Sequence, residues 1–161
     1  MFEFFNQYSA LIAIPGFIVA MMALLPIKSW RNRIPLYSAT AIIVLVAIFA
    51  LQPGESTVAS EAEAQTVITS GKPVFVEFFS NTCTACLASE PMVRSLEGEL
   101  GDDVQILKLN VQDALASQMI RDYRVYLTPT FVVIGRDGEE LWRQSGGLLD
   151  KGAALAALNE A

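Results

Sequence analysis

The sequence predicts an α/β domain, with a mixed central sheet flanked by helices, preceded by a two-helix transmembrane hairpin. Three observations carry this reading. Hydrophobic residues make up 53% of the 161 positions and charged residues only 17%, too apolar a balance for an ordinary soluble chain. The apolar surplus is confined to the front. Residues 1–52 hold four charged side chains (Glu3, Lys28, Arg31 and Arg33), while the acidic remainder carries the excess that makes the net charge −6. Behind that boundary, short apolar runs alternate with segments of helical period, the pattern of layered α/β domains.

The first apolar run spans residues 8–27 and the second residues 34–52, both free of charge. Each approaches the roughly 20 residues that a helix needs to cross about 30 Å of hydrocarbon. Pro15, Gly16 and Pro26 disfavour a soluble helix, but a membrane helix tolerates them where neighbours satisfy the freed carbonyls. A cleaved signal peptide is the rival reading of the first run. It would want a basic start and a small-residue cleavage site, whereas this chain opens Met-Phe-Glu-Phe-Phe. Lys28, Arg31 and Arg33 lie between the runs, and no lysine or arginine recurs until Lys72. The positive-inside rule therefore assigns that short connection to the cytoplasm and both termini to the outside. Trp30, Tyr37 and Tyr8 stand where interfacial aromatics belong. Residues 1–54 form the anchor on this reading, and residues 55–161 an extracytoplasmic domain.

In that domain, Val58 to Ser70 has helix-forming composition and stops at Gly71, a residue suited to a left-handed cap. Pro73 to Phe79 is an apolar run short enough for a strand buried on both faces. Val93, Leu96 and Leu100 repeat at helical spacing over residues 84–100, with Gly101 as the stop. Gln105 to Asn110 reads as a second strand, parallel to the first through this crossover. Ala114 to Tyr123 is a short helix and Thr130 to Ile134 a third strand. Arg136-Asp-Gly-Glu139 is a tight turn into a returning strand, Glu140 to Gln144. A last helix runs from Asp150 to Asn159, with Leu155 and Leu158 turned inward.

Composition excludes several chemistries. The chain has no histidine, so hydrolases that rely on an imidazole base are ruled out, as are histidine zinc sites. Cys83 and Cys86 are the only cysteines, too few for a four-cysteine zinc site or an iron–sulfur cluster. No glycine-rich nucleotide loop is present, so neither cofactor nor metal is expected. An acidic domain without a basic run argues against nucleic acid.

Asn81-Thr-Cys83-Thr-Ala-Cys86 follows the first strand and opens a helix. Unpaired N–H groups and the dipole at a helix N-terminus stabilise a thiolate. Cys83 is then the exposed nucleophile of low pKa, and Cys86, one turn deeper, the resolving thiol that attacks a mixed disulfide. Two structural cysteines that happen to be close are the bland alternative.

Residues 72–86 followed by Glu90-Pro91 resemble the active-site segment of the thioredoxin family. Tyr126-Leu-Thr-Pro129-Thr resembles that family's cis-proline strand start, and Gly138 and Gly146-Gly147 match its later turns. The likeness covers roughly residues 56–161 and is closest to membrane-anchored, envelope-facing thiol–disulfide oxidoreductases, among them those that supply reductant for cytochrome c maturation. It implies a thioredoxin-like fold and an enzyme that exchanges a dithiol with protein disulfides. It also implies that Glu77 stands where the family has a buried aspartate and Lys108 where it has that acid's lysine partner. Glu77 would accept the Cys86 proton, or else serve only as an ion-pair partner of Lys108. Thr128 and Pro129 would bind substrate beside Cys83. The departures are Thr-Ala between the cysteines, Thr82 in place of a tryptophan, and a shortened first strand.

The expected function is a membrane-anchored reductase of extracytoplasmic protein disulfides. Its partners would be the lipid bilayer, its dithiol or disulfide substrates, and a membrane thiol-electron carrier, because neither apolar run holds a cysteine to carry electrons inward. The alternative is a scaffold subunit of a membrane complex whose cysteines are idle.

Overall fold

The computed structural model describes residues 2–24 and 30–161. Helix α1 (Phe2–Gln7) leads into α2 (Ser9–Leu24), and α3 covers Trp30–Leu51. The domain then runs α4 (Glu61–Ile68), β1 (Val74–Phe79), α5 (Thr84–Glu97), β2 (Gln105–Asn110), a 3₁₀ turn (Ala114–Ala116), α6 (Ser117–Asp122), β3 (Thr130–Ile134), β4 (Glu140–Ser145) and α7 (Lys151–Asn159).

The two-span hairpin needs correction. Among the described residues, one stretch is long and apolar enough to cross a membrane, Ile34–Leu51 in α3, with mean hydropathy 2.4 and none of it buried. Helix α2 is apolar over its 16 described residues, and residues 25–27 of the run expected over 8–27 lie outside the described residues. Helix α3 begins at Trp30, so Arg31 and Arg33 lie within its first turn and not in a loop. Lys28 and Pro26 fall outside the described residues. Leu11, Ile12, Phe17, Ile43, Val46 and Phe49 are all exposed, an apolar surface of the kind that marks a membrane or protein contact.

The sheet order is β2-β1-β3-β4. Strand β1 pairs parallel with β2 and antiparallel with β3, and β3 pairs antiparallel with β4. The mixed sheet expected from the sequence is therefore present. Alternation along β1 divides the core in two. Val74, Val76 and Phe78 pack with Ala64, Ile68 and Met119 on one face. Phe75 packs with Val93, Leu96, Phe131 and Leu158 on the other, under α5 and α7. Burying each phenylalanine contributes roughly 1.5–3 kcal/mol, and β1, paired on both edges, carries Phe75, Phe78 and Phe79, all fully buried.

Local sequence accounts for several element ends. The Ser60 hydroxyl accepts from Glu63 N–H, and the Glu63 carboxylate accepts from Ala59 N–H, a reciprocal cap that starts α4. That helix ends at Ile68, before the expected Gly71. Helix α5 continues through Pro91 but stops at Glu97, four residues before Gly101. The stretch read as one helix over residues 114–123 divides into the 3₁₀ turn and α6. Asp150 caps α7 through Ala153 N–H.

The family's first strand is replaced by an irregular segment. Thr57 N–H donates to Lys108 O at 2.9 Å, and the Thr57 and Ser56 hydroxyls accept from Lys108 and Asn110 N–H, both at 3.0 Å. These bonds line the outer edge of β2. The N-terminal helices also meet the domain. Arg94 of α5 reaches the terminal α3 region, donating to Ala50 O and Gln52 O, and a cleft of about 210 Å³ lies between α2, α3 and α5, lined by Ala13, Ile14, Ala47, Ile48 and Leu87.

Candidate functional site

Strand β1 ends at Phe79, and the chain turns through Ser80–Thr82 into α5. Cys83 is the N-cap of that helix, in extended backbone conformation, and its sulfur accepts the Cys86 N–H at 3.3 Å. The thiol of Cys83 lies 3.3 Å from Thr128 O, to which it donates. The Thr128–Pro129 peptide is cis, and Thr130 opens β3 beside it. Cys83, Cys86, Thr128 and Pro129, which are 45 residues apart at their nearest bonded contact, thus form one site.

The two thiols are held in opposite states. Cys83 is lowered to about 6 by the hydrogen bond from the Cys86 thiol, then by Thr128 and by the Cys86 and Ala85 N–H groups, all of which outweigh its burial. Cys86 is pushed far up, first by burial and then by the neighbouring Cys83 sulfur. Dipole and N–H groups at a helix start favour the anion at the N-cap and not one turn inside. Such a pair gives a thiolate ready at neutral pH and a second thiol that stays protonated until a base removes its proton.

Exposure is where the sequence reading fails. Cys83 is wholly buried, not exposed. The cause is distant in sequence. Residues Asn6 to Ala10 of α1 and α2 lie across the loop that carries Cys83, and Ala10 N–H donates to Thr82 O at 2.9 Å.

Beneath the thiols sits a buried charge cluster. Glu77 faces α5 from β1, wholly buried, and neither of its oxygens has a hydrogen-bond partner. Lys108, opposite it on β2, approaches Glu77 Oε2 at 3.6 Å, so the expected pairing exists as an ion pair. The lysine bonds instead to Glu90, and it also pairs with Glu97 at 3.5 Å. Burial raises Glu77 to about 8, against the pull of Lys108 and reinforced by Glu90 and Glu97. Burial opposes the charge of Lys108, but the carboxylates of Glu77, Glu90 and Glu97 prevail and raise it. Arg94 completes the cluster from outside, its Nε donating to Glu90 at 2.8 Å. Among the described residues, no group of histidine, cysteine or acidic side chains is arranged to hold a metal.

The sequence reading missed the roles of Glu90 and Glu97. Their signal was available, since Cys86, Glu90, Val93 and Glu97 recur at helical spacing and share one face of α5. It also missed Asn6, for which no signal exists at a separation of 122 residues.

Comparison with known proteins agrees with this geometry. Residues 55–159 match the thioredoxin family. The chain is 27% identical over 114 residues to the thiol:disulfide interchange protein TxlA of Synechococcus elongatus, covering 68% of this chain and 60% of that protein. It is 28% identical over 141 residues to the chloroplastic thioredoxin-like protein HCF164 of Oryza sativa, covering 82% of this chain and 54% of that one. The chain therefore spans little more than half the length of these relatives. Among solved structures, Fasciola hepatica thioredoxin aligns with TM-score 0.53 at 28% identity, over 63% of this chain and 94% of that one.

Proposed function

Because the chain belongs to the thioredoxin family, with residues 55–159 matching it, we propose that it is a thiol–disulfide oxidoreductase acting as a reductase of protein disulfides. The observation that carries this is the split between the two thiols, Cys83 lowered to about 6 at the N-cap and Cys86 raised one turn inside.

In the proposed cycle the Cys83 thiolate attacks one sulfur of a substrate disulfide. A Cys83–substrate disulfide forms, and the other substrate sulfur leaves as a thiolate that takes up a proton. Glu77 accepts the Cys86 proton, and the Cys86 sulfur attacks Cys83. That closes the Cys83–Cys86 disulfide and expels the second substrate sulfur, which is protonated in turn. Two electrons pass from the dithiol to the substrate. Lys108 holds the charge of Glu77 in check, and Thr128 and Pro129 line the approach to Cys83.

Anchoring belongs to the same reading. Residues 1–54 hold the molecule at a membrane, with α3 as the span and α2 beside it. Arg31 and Arg33 at the start of α3 put that end in the cytoplasm and residues 55–161 outside. The electrons that reset the dithiol come from a membrane thiol carrier, since α2 and α3 contain no cysteine. Protein disulfides of the envelope, including those formed during cytochrome c maturation, are the substrates this location offers. The burial of Cys83 favours a second reading, a scaffold subunit with idle cysteines. The deciding experiment is reduction of a protein disulfide by the full chain with a dithiol as reductant. Turnover that disappears in Cys83→Ser supports the enzyme, and no turnover in the parent chain supports the scaffold.

A further inference from the structure

The strongest unexplained feature of the site is what covers it. The Asn6 carboxamide makes three hydrogen bonds to one residue. Its Oδ1 accepts from Thr128 N–H at 2.7 Å and from Thr128 Oγ1 at 2.8 Å, and its Nδ2 donates to Thr128 O at 3.0 Å. A carboxamide carries the same donor and acceptor as a peptide group. Asn6 therefore takes up both main-chain groups of Thr128 in the way a neighbouring strand would.

The rest of the segment is bonded just as closely. Gln7 O accepts from the Ser80 hydroxyl at 3.0 Å and from the Thr82 hydroxyl at 2.8 Å. Ser9 Oγ accepts from Thr84 N–H at 2.9 Å, at the start of α5. The four residues bonded by this segment, Ser80, Thr82, Thr84 and Thr128, surround Cys83.

The geometry points to Asn6 as the gate of the dithiol site, a side chain that stands in for a substrate backbone at Thr128 and must leave before any disulfide reaches Cys83. This rests on the reading of Cys83 as the attacking thiol, and it adds the regulation of that site. The closed state protects the thiolate from adventitious oxidants. The reactive fraction is set by the opening of residues 6–10, and the apparent rate of every substrate is reduced by that fraction alike. Opening breaks the Asn6 bonds without disturbing the sheet, because none of the described side chains of α1 belongs to either core face.

The test uses the full chain, reduced and held in detergent micelles, with Asn6→Ala and Asn6→Leu variants. Alkylation of Cys83 by iodoacetamide measures access without requiring any redox activity. Both variants should alkylate faster by about tenfold, the factor that one or two net hydrogen bonds of this kind are worth. Turnover with hydroxyethyl disulfide and with a protein disulfide should rise by the same factor, since all three reactions share one opening step. The pH midpoint of thiolate formation should stay where it is, which separates a gate from a change in the thiol itself. Unchanged alkylation in both variants overturns the proposal, as does an increase in Asn6→Ala alone, which would make Asn6 a space-filler. Faster alkylation with no turnover on any disulfide would leave the gate standing and overturn the oxidoreductase reading instead.

Discussion

Both carboxylate oxygens of Glu90 lie closer to Lys108 Nζ, at 3.3 and 3.4 Å, than the Glu77 oxygen does at 3.6 Å. The lysine that balances the buried acid of β1 is thus held mainly by a neighbour one turn below Cys86. That competition leaves Glu77 without a hydrogen bond, and burial, reinforced by the Glu90 and Glu97 charges, raises its carboxyl to about 8.

Replacing Glu90 should release Lys108 to Glu77. In Glu90→Gln the pH midpoint for closure of the Cys83–Cys86 disulfide should move down, because Glu77 would ionise more easily without the Glu90 charge and beside a cation shared only with Glu97. Single-turnover oxidation followed across pH reads this directly. A midpoint that stays put would mean that Glu90 supports packing only.

The Glu77 carboxyl should cost stability, with a definite pH sign. Its folded value of about 8 lies above the ordinary 4.5, so folding takes up a proton between those limits. The contribution of Glu77 to stability should therefore be fully present below 4.5 and be lost as pH rises through about 8. Glu77→Gln should remove that slope and gain about 1–3 kcal/mol at the alkaline end, the usual penalty of an unsatisfied buried group. Urea unfolding at pH 5 and pH 8.5 measures both effects. The same variant should slow the resolving step by about 100-fold, the low end of what a positioned base supplies.

Cys83 should titrate near pH 6. Thiolate absorbance near 240 nm in the reduced chain should rise with that midpoint and vanish in Cys83→Ser, because Cys86 stays protonated throughout. Cys86→Ser should trap mixed disulfides with substrate, and Cys83→Ser none. A midpoint near the ordinary 9.0 would remove the basis for assigning the two roles.

Much of this was legible in the sequence, for reasons that differ by residue. Cys83 and Cys86 were readable because strand-then-helix placement is local, set by the apolar run of β1 and the spacing of Val93 and Leu96. The four strands followed from run length and turn residues. Helix ends were less legible, since Gly71 and Gly101 are permissive stops, while α4 and α5 end where packing ends. The cover over Cys83 could not be read at all. It depends on a tertiary contact between Asn6 and Thr128, and neither residue carries a pattern that announces the other.

The orientation proposed for α3 predicts that protease added outside intact cells or spheroplasts should remove the domain from Glu55 onward. Full protection, with digestion only after the membrane is breached, would reverse the assignment of sides.

The irregular stretch beside β2 has a consequence for how these molecules behave in a crowd. A bare strand edge invites pairing with another chain. Here the Ser56 and Thr57 hydroxyls and the Thr57 N–H already occupy Lys108 and Asn110. A segment too short to be a strand thereby blocks that flank as a template. The opposite flank, β4, carries Glu140 and Arg143, paired to each other through Arg143 Nε at 2.8 Å. A newcomer there would have to lie across charged side chains. Resistance to sheet-to-sheet aggregation is thus built from two hydroxyls on one side and an ion pair on the other.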